Sequence, residues 1–130
     1  MTVNTIFRVL AGLFALLLAC IICAANLDAA GAIFGPIYAF PYGDKIAHFV
    51  LMGTLSLLVS LGIRPRRFLG LLLYSVIILC FLVTLEELSQ IPLRNRDFSL
   101  TDLASNYAGI WLFGEAGALI RRVLVREKEA

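Results

Sequence analysis

Four long apolar blocks dominate this sequence, and they limit what it can fold into. They cover approximately residues 6–25, 46–63, 68–88 and 103–120. Each block is close to the ~17–25 residues that a helix needs to cross a hydrocarbon core of ~30 Å. The chain is 61% hydrophobic and 15% charged, whereas a soluble domain is about half apolar and about a quarter charged. We therefore predict an all-α, polytopic membrane protein: a four-transmembrane-helix bundle that forms a single domain over residues 1–130.

The distribution of positive charge predicts the orientation of this bundle. Basic residues lie at the start of the first block, between the second and the third, and after the fourth: Arg8, then Arg64, Arg66 and Arg67, then Arg121, Arg122, Arg126 and Lys128. Positive residues favour the cytoplasmic side of a membrane. Both termini and the 64–67 loop are therefore predicted to be cytoplasmic, and the 26–45 and 91–101 loops external.

The first external loop is repeatedly interrupted by residues that break helices. It contains Gly31, Gly35, Pro36, Pro41 and Gly43, and residues of these types end or kink helices. Aromatic residues alternate with them, and such residues favour the headgroup level of a bilayer. We expect a loop or short helix at the external interface that forms a lid over a polar site.

Polar side chains occur in pairs at the external ends of the last three blocks. The pairs are Asp44 with His48, Glu87 with Gln90, and Asp102 with Asn106, and the cations Lys45 and Arg96 lie beside them. Residues three or four apart share one face of a helix. Ionisable groups at membrane depth usually face the interior of a bundle. We predict that these side chains converge in one cavity beneath the external surface.

The residue types indicate what such a site would do. His48 is the natural acid or base, with a carboxylate to orient it, and the catalytic candidates are His48, Glu87 and Asp102. The ligand-binding candidates are Asp44, Lys45, Gln90, Arg96 and Asn106. Arg96 and Lys45, and also Arg94, offer donors for phosphate. Arg96 is expected to pair with Glu87 or Asp102, because an unpaired buried charge is costly.

The order of these motifs resembles that of a known family. Asp44-Lys45-x-x-His48-Phe49 resembles the first motif of the VanZ-like family of small bacterial membrane proteins, and Glu87-x-x-Gln90, Arg96 and Asp102-x-x-x-Asn106-x-x-Gly109 are similar to its second and third motifs. The resemblance covers roughly residues 44–114. It implies a multi-pass protein of the bacterial cytoplasmic (inner) membrane with a role in the cell envelope. The family is named for a protein linked to resistance to the glycopeptide teicoplanin, and most members have no known biochemical function.

Three functions fit these observations. The first is a site that binds or processes an anionic envelope lipid or glycan, but no obvious nucleophile is present, so whether the protein is an enzyme stays open. The second is a divalent metal site formed by Asp44, His48, Glu87 and Asp102. The third is a non-catalytic subunit of a larger membrane complex, in which the polar network is structural. The sequence identifies no cofactor, and the partners it predicts are the bilayer, an envelope lipid and other membrane proteins, with no nucleic acid.

Two further groups of residues are expected to be structural. Cys20, Cys23 and Cys80 lie inside apolar blocks, where buried small hydrophobic side chains are the expected role. Glu115 lies about 20 Å from Asp102 along the last helix. We expect it to pair with an arginine at the cytoplasmic end.

Overall fold

The computed structural model describes residues 3–27, 31, 35–37, 39–93 and 96–129. It is mostly helical (79%). The main elements are α1 (Val3–Asn26), α2 (Gly43–Gly62), β1 (Arg67–Phe68), β2 (Leu72–Leu73), α3 (Tyr74–Ser89) and α4 (Leu100–Glu129).

Within the described residues, two helices are long and apolar enough to cross a membrane: Asn4–Asn26 and Gly43–Gly62. The predicted four-transmembrane-helix bundle is therefore wrong. α3 has only 16 residues, which is about 24 Å and shorter than the hydrocarbon core, because the start of the third apolar block forms strands instead. α4 is long enough, but Asn106, Glu115 and several small residues lower its hydropathy.

A short β-hairpin that the sequence analysis did not predict joins α2 to α3. β1 and β2 are antiparallel, with Arg67 opposite Leu73 and Phe68 opposite Leu72. Leu69 and Gly70 turn the chain with φ of 50° and 74°. Positive φ at two successive residues is typical of the turns that join hairpin strands.

α2 and α4 run in the same direction and form the closest helix pair. A Cβ added at Gly109 of α4 would overlap the backbone carbonyl oxygen of Phe49 in α2. One added at Gly53 would lie 2.9 Å from the ring of Phe113. The absence of a side chain at Gly109 therefore allows the backbone of α2 to come close. The hydrophobic core lies on the other side of α4, where buried Leu73, Val76, Leu79 and Val83 pack with Ile110 and Ala118.

Arginines hold the helices together at the end of α2 that is opposite the predicted polar site. Arg121 of α4 donates to the carbonyl oxygen of Leu61 at 2.5 Å and to Asn4 Oδ1 at 2.7 Å. Arg8 of α1 donates to the carbonyl oxygen of Gly62 at 2.9 Å. These bonds satisfy carbonyl groups at the C-terminus of α2, which have no partner within the helix.

Glu115 pairs with Arg67, whose Nη2 lies 2.6 Å from its Oε2. The prediction that Glu115 pairs with an arginine at this end of the bundle is confirmed, and the structure identifies that arginine as Arg67.

The cysteines of α1 do not occupy the buried positions expected of them. Cys20 and Cys23 are exposed, and Cys80 is partly buried. α1 packs through a different face, on which Ala11 and Leu18 are buried. The expectation was wrong because an apolar helix in this fold buries only one of its faces.

Candidate functional site

Lys45 connects the first turns of α2 and α4. Its Nζ lies 2.5 Å from Asp44 Oδ2 and 2.5 Å from Asp102 Oδ1. Both aspartates stand in the first turn of their helices, where the helix dipole favours a negative charge. The ammonium group is therefore shared by two carboxylates on different helices, which brings the start of α4 against the start of α2.

His48 lies one turn further along α2 and contacts the same helix. Its Nδ1 is 3.2 Å from Asn106 Oδ1, and its Nε2 is 3.9 Å from Asp102 Oδ2. With the Asn106 amide oxygen as acceptor, the proton of the neutral ring is assigned to Nδ1. In the neutral ring, Nε2 then carries the lone pair. In the charged ring, Nε2 carries a second proton, which faces Asp102. This arrangement can hold or release a proton beside a carboxylate, as a general acid or base requires.

Glu87 is buried where α3 ends and the chain turns towards α4. Its side chain is almost inaccessible, because the residue is only 1% exposed. Its Oε1 accepts the backbone N–H of Ser99 at 2.8 Å, and its Oε2 accepts from Gln90 Nε2 at 3.3 Å. Ser99 in turn caps α4, since its Oγ accepts the backbone N–H of Asp102 at 3.3 Å. Glu87 therefore fixes the loop that positions Asp102.

The surroundings of Glu87 favour its protonated form. Burial raises the pKa of Glu87 above its ordinary value, and the hydrogen bond from the Ser99 backbone acts in the opposite direction. The negative charges of Glu86 and Asp102 raise the pKa further, and His48 lowers it.

Arg96 contacts a different carboxylate from the ones that the sequence predicted. Its Nη2 lies 3.9 Å from Glu86 Oε1, and its Nε donates to Gln90 Oε1 at 3.3 Å. Gln90 also donates to Glu86 at 3.0 Å. The predicted pairing of Arg96 with Glu87 or Asp102 is wrong, because Glu87 is already engaged by Ser99 and Asp102 by Lys45.

A cavity of about 630 Å³ opens beside these residues, between α1 and α2. Apolar side chains of both helices form most of its wall, among them Leu18, Ile22 and Leu51. Pro36, Ile37 and Phe40 from the connection between the helices also line it. Four lining residues are polar or charged, and they lie at the start of α2 or at the end of α3 and the chain that contacts it: Asp44, His48, Glu86 and Arg96. The cavity is thus an apolar groove with charged groups at one end.

The eight predicted site residues lie in one region of the structure but have different accessibility. Asp44, His48 and Arg96 line the cavity, and Lys45 and Asp102 pair beside it. Glu87, Gln90 and Asn106 are fully buried. Arg94, another predicted phosphate ligand, lies outside the described residues.

Glu86 is a cavity residue that the sequence analysis did not select. Its position four residues before Gln90 places both on one face of α3, and this spacing was the signal that could have identified it.

The proposed metal ligands do not come together at one point. Among the described residues, no three His, Cys, Asp or Glu side chains are grouped closely enough to hold a metal ion. Lys45 occupies the position between Asp44 and Asp102 that a cation would otherwise take.

Comparison with protein-family models, with curated proteins and with solved structures found no match for this chain.

Proposed function

We propose that this chain is a VanZ-like protein of a bacterial inner membrane, which it crosses with α1 and α2, and that it binds one anionic envelope lipid in the cavity between them. The ordered motifs from Asp44 to Gly109 support the family assignment. Arg8 near the start of α1 and Arg64 after the end of α2 favour a cytoplasmic location for those ends. The polar end of the cavity then faces the outside of the cell.

The observation that carries this proposal is the division of the cavity into an apolar groove and a charged end. A glycan offers little surface for aliphatic walls such as Leu18 and Leu51. An acyl or isoprenoid chain fits them, because burial of apolar surface is favourable and does not depend on direction. The volume of about 630 Å³ lies within the range of ~300–1,000 Å³ that is usual for small-molecule sites.

The charged end suits a lipid headgroup that combines a phosphate with further hydrogen-bond donors. Arg96 has five N–H donors, and its separation of 3.9 Å from Glu86 is loose for an ion pair. A phosphate can therefore compete for the guanidinium group. Asp44 and Glu86 would repel a bare anion, but they accept hydrogen bonds from hydroxyl or ammonium groups. This selects headgroups that combine phosphate with hydroxyl groups, such as a phosphoglycerol or a phosphosugar.

The proposal is tested by lipid binding to the purified protein, measured by native mass spectrometry. Phosphatidylglycerol should bind more tightly than phosphatidylcholine, which has no headgroup donor. Arg96→Gln should reduce the affinity for phosphatidylglycerol about tenfold, the lower end of what a charge-assisted hydrogen bond contributes, because Glu86 already satisfies part of the guanidinium. Arg122→Gln is the matched control, since Arg122 is exposed and follows Arg121, which contacts the other end of α2. Equal affinity for the two lipids, or the same loss in both variants, would contradict the proposal.

A non-catalytic role as the subunit of a larger membrane complex is the second candidate. It is favoured by the complete burial of Glu87, Gln90 and Asn106, which suits a network that fixes the positions of helices. On this account Arg96→Gln and His48→Ala would lower the amount of folded protein and leave its lipid affinity unchanged. On the binding account both variants accumulate but lose lipid affinity.

A further inference from the structure

The β-hairpin between α2 and α3 exposes several large apolar side chains close together in the sequence. Phe68, Leu69, Leu71 and Leu72 are 48%, 79%, 73% and 42% exposed. Leu69 also has a positive φ of 50°, a conformation that residues other than glycine seldom adopt. A polar residue such as asparagine suits such a turn in water better than leucine does.

The hairpin is firmly attached to the rest of the fold from its inner side. Leu73 is 1% exposed and belongs to the hydrophobic core. Arg67 Nη1 donates to the carbonyl oxygen of Leu71 at 2.7 Å, and its guanidinium pairs with Glu115 of α4. Phe68 and Tyr74 pack edge to face, with ring centroids 6.0 Å apart. The apolar tip is therefore held outward by the fold.

The position of the hairpin relative to α2 places it at the membrane surface. Residues 63–66 separate the end of α2 from β1, and four residues span at most about 14 Å. Arg64 and Arg66 in this connection are exposed. Exposed arginines beside an apolar tip match the inner leaflet, whose surface is negatively charged.

We infer that the hairpin inserts Leu69, Leu71 and Leu72 into the anionic cytoplasmic leaflet, while Arg64 and Arg66 contact its phosphates. The partner is a lipid surface. Aromatic rings such as Phe68 and Tyr74 commonly lie at this headgroup level. The inference rests on the proposed membrane insertion of α1 and α2, but it is independent of any ligand in the cavity between them.

The experiment uses tryptophan fluorescence of the full chain in vesicles made of equal parts phosphatidylcholine and phosphatidylglycerol. The chain has one native tryptophan, Trp111, which is replaced by phenylalanine in all variants. Leu71→Trp serves as the reporter because position 71, unlike 69, has an ordinary backbone conformation. The tryptophan emission of Leu71→Trp should shift to shorter wavelength in the vesicles. Lipids with a nitroxide near the headgroup should quench this emission more than iodide in the surrounding water does. Leu72→Trp provides a second reporter, at the start of β2.

Two further variants separate the possible outcomes. Leu13→Trp lies on the exposed face of α1 and should be quenched by nitroxides deep in the acyl chains. If Leu13→Trp is quenched by these nitroxides but the hairpin reporters are quenched only by iodide, the hairpin inference is wrong and the proposed membrane insertion of α1 and α2 stands. If Leu13→Trp also responds only to iodide, the proposed insertion itself fails. Arg64→Gln combined with Arg66→Gln should weaken nitroxide quenching at position 71. Protection of the hairpin reporters in native membranes but not in lipid vesicles would identify a protein partner and overturn the inference.

Discussion

Replacing Gly109 with alanine tests whether close packing of α2 on α4 builds the site. The added Cβ would overlap the carbonyl oxygen of Phe49, and a backbone atom cannot rotate away as a side chain can. The two helices must therefore separate until the contact is normal. Overpacking of this kind typically costs about 1–3 kcal/mol, and contact with the backbone places this position in the upper half of that range. The separation also moves His48 away from Asn106, which it contacts at 3.2 Å.

The control for this change is Gly12→Ala, because nothing lies within 4 Å of a Cβ added at Gly12. Alanine favours a helix over glycine by up to ~1 kcal/mol at either position. The difference between the two variants therefore isolates the steric term, and we expect about 2–3 kcal/mol. The assay is unfolding of the detergent-solubilised protein, together with the NMR signal of the ring of His48, the single histidine of the chain. If Gly109→Ala is as stable as Gly12→Ala and the His48 signal does not change, the packing argument is wrong.

Three further predictions follow from other contacts. Glu115→Gln should lower the free energy of unfolding by no more than about 1 kcal/mol, because the pair with Arg67 is partly exposed. The same variant should keep the lipid affinity of the wild type, and a loss of lipid binding would show that this end of the protein has a second role. Burial raises the pKa of Glu87 in the folded state, so the stability that Glu87 contributes is complete below the ordinary glutamate pKa of 4.5 and is lost as the pH rises through the folded pKa. Glu87→Gln should therefore remove a decline of the free energy of unfolding with rising pH, measured across the acidic range. If the variant shows the same decline as the wild type, Glu87 is not its source. A cysteine introduced at position 66 should react with a membrane-impermeant maleimide only in permeabilised cells and one at position 27 in intact cells, while the reverse pattern would invert the proposed orientation.

The grouping of the polar residues could be anticipated from the sequence because it depends on helical spacing alone. Asp44 and His48, like Asp102 and Asn106, lie four residues apart, so each pair shares a helix face. The structure brings both pairs together through Lys45 and His48. The choice of partner for Arg96 was not accessible in the same way, because it depends on which of two adjacent glutamates faces inward.

The number of candidate membrane spans was misjudged for a different physical reason. A count of apolar residues predicts one continuous helix for the block at 68–88. Both residues of strand β2 are leucines, a residue type that is also typical of lipid-facing helices, so composition did not reveal that helix α3 begins only at Tyr74. The turn at Leu69 and Gly70 could not be recognised because leucine rarely adopts a positive φ.

The central claim is that the cavity between α1 and α2 holds a lipid, and blocking the cavity tests it most directly. Ala47 of α2 lines the cavity, so Ala47→Trp should fill much of the groove. Ala15→Trp is the control, because Ala15 is exposed on another face of α1. Native mass spectrometry of the protein purified from bacterial membranes should show one retained anionic lipid on the wild type and on Ala15→Trp, and none on Ala47→Trp. Equal lipid retention by all three proteins, or none by the wild type, would contradict the account.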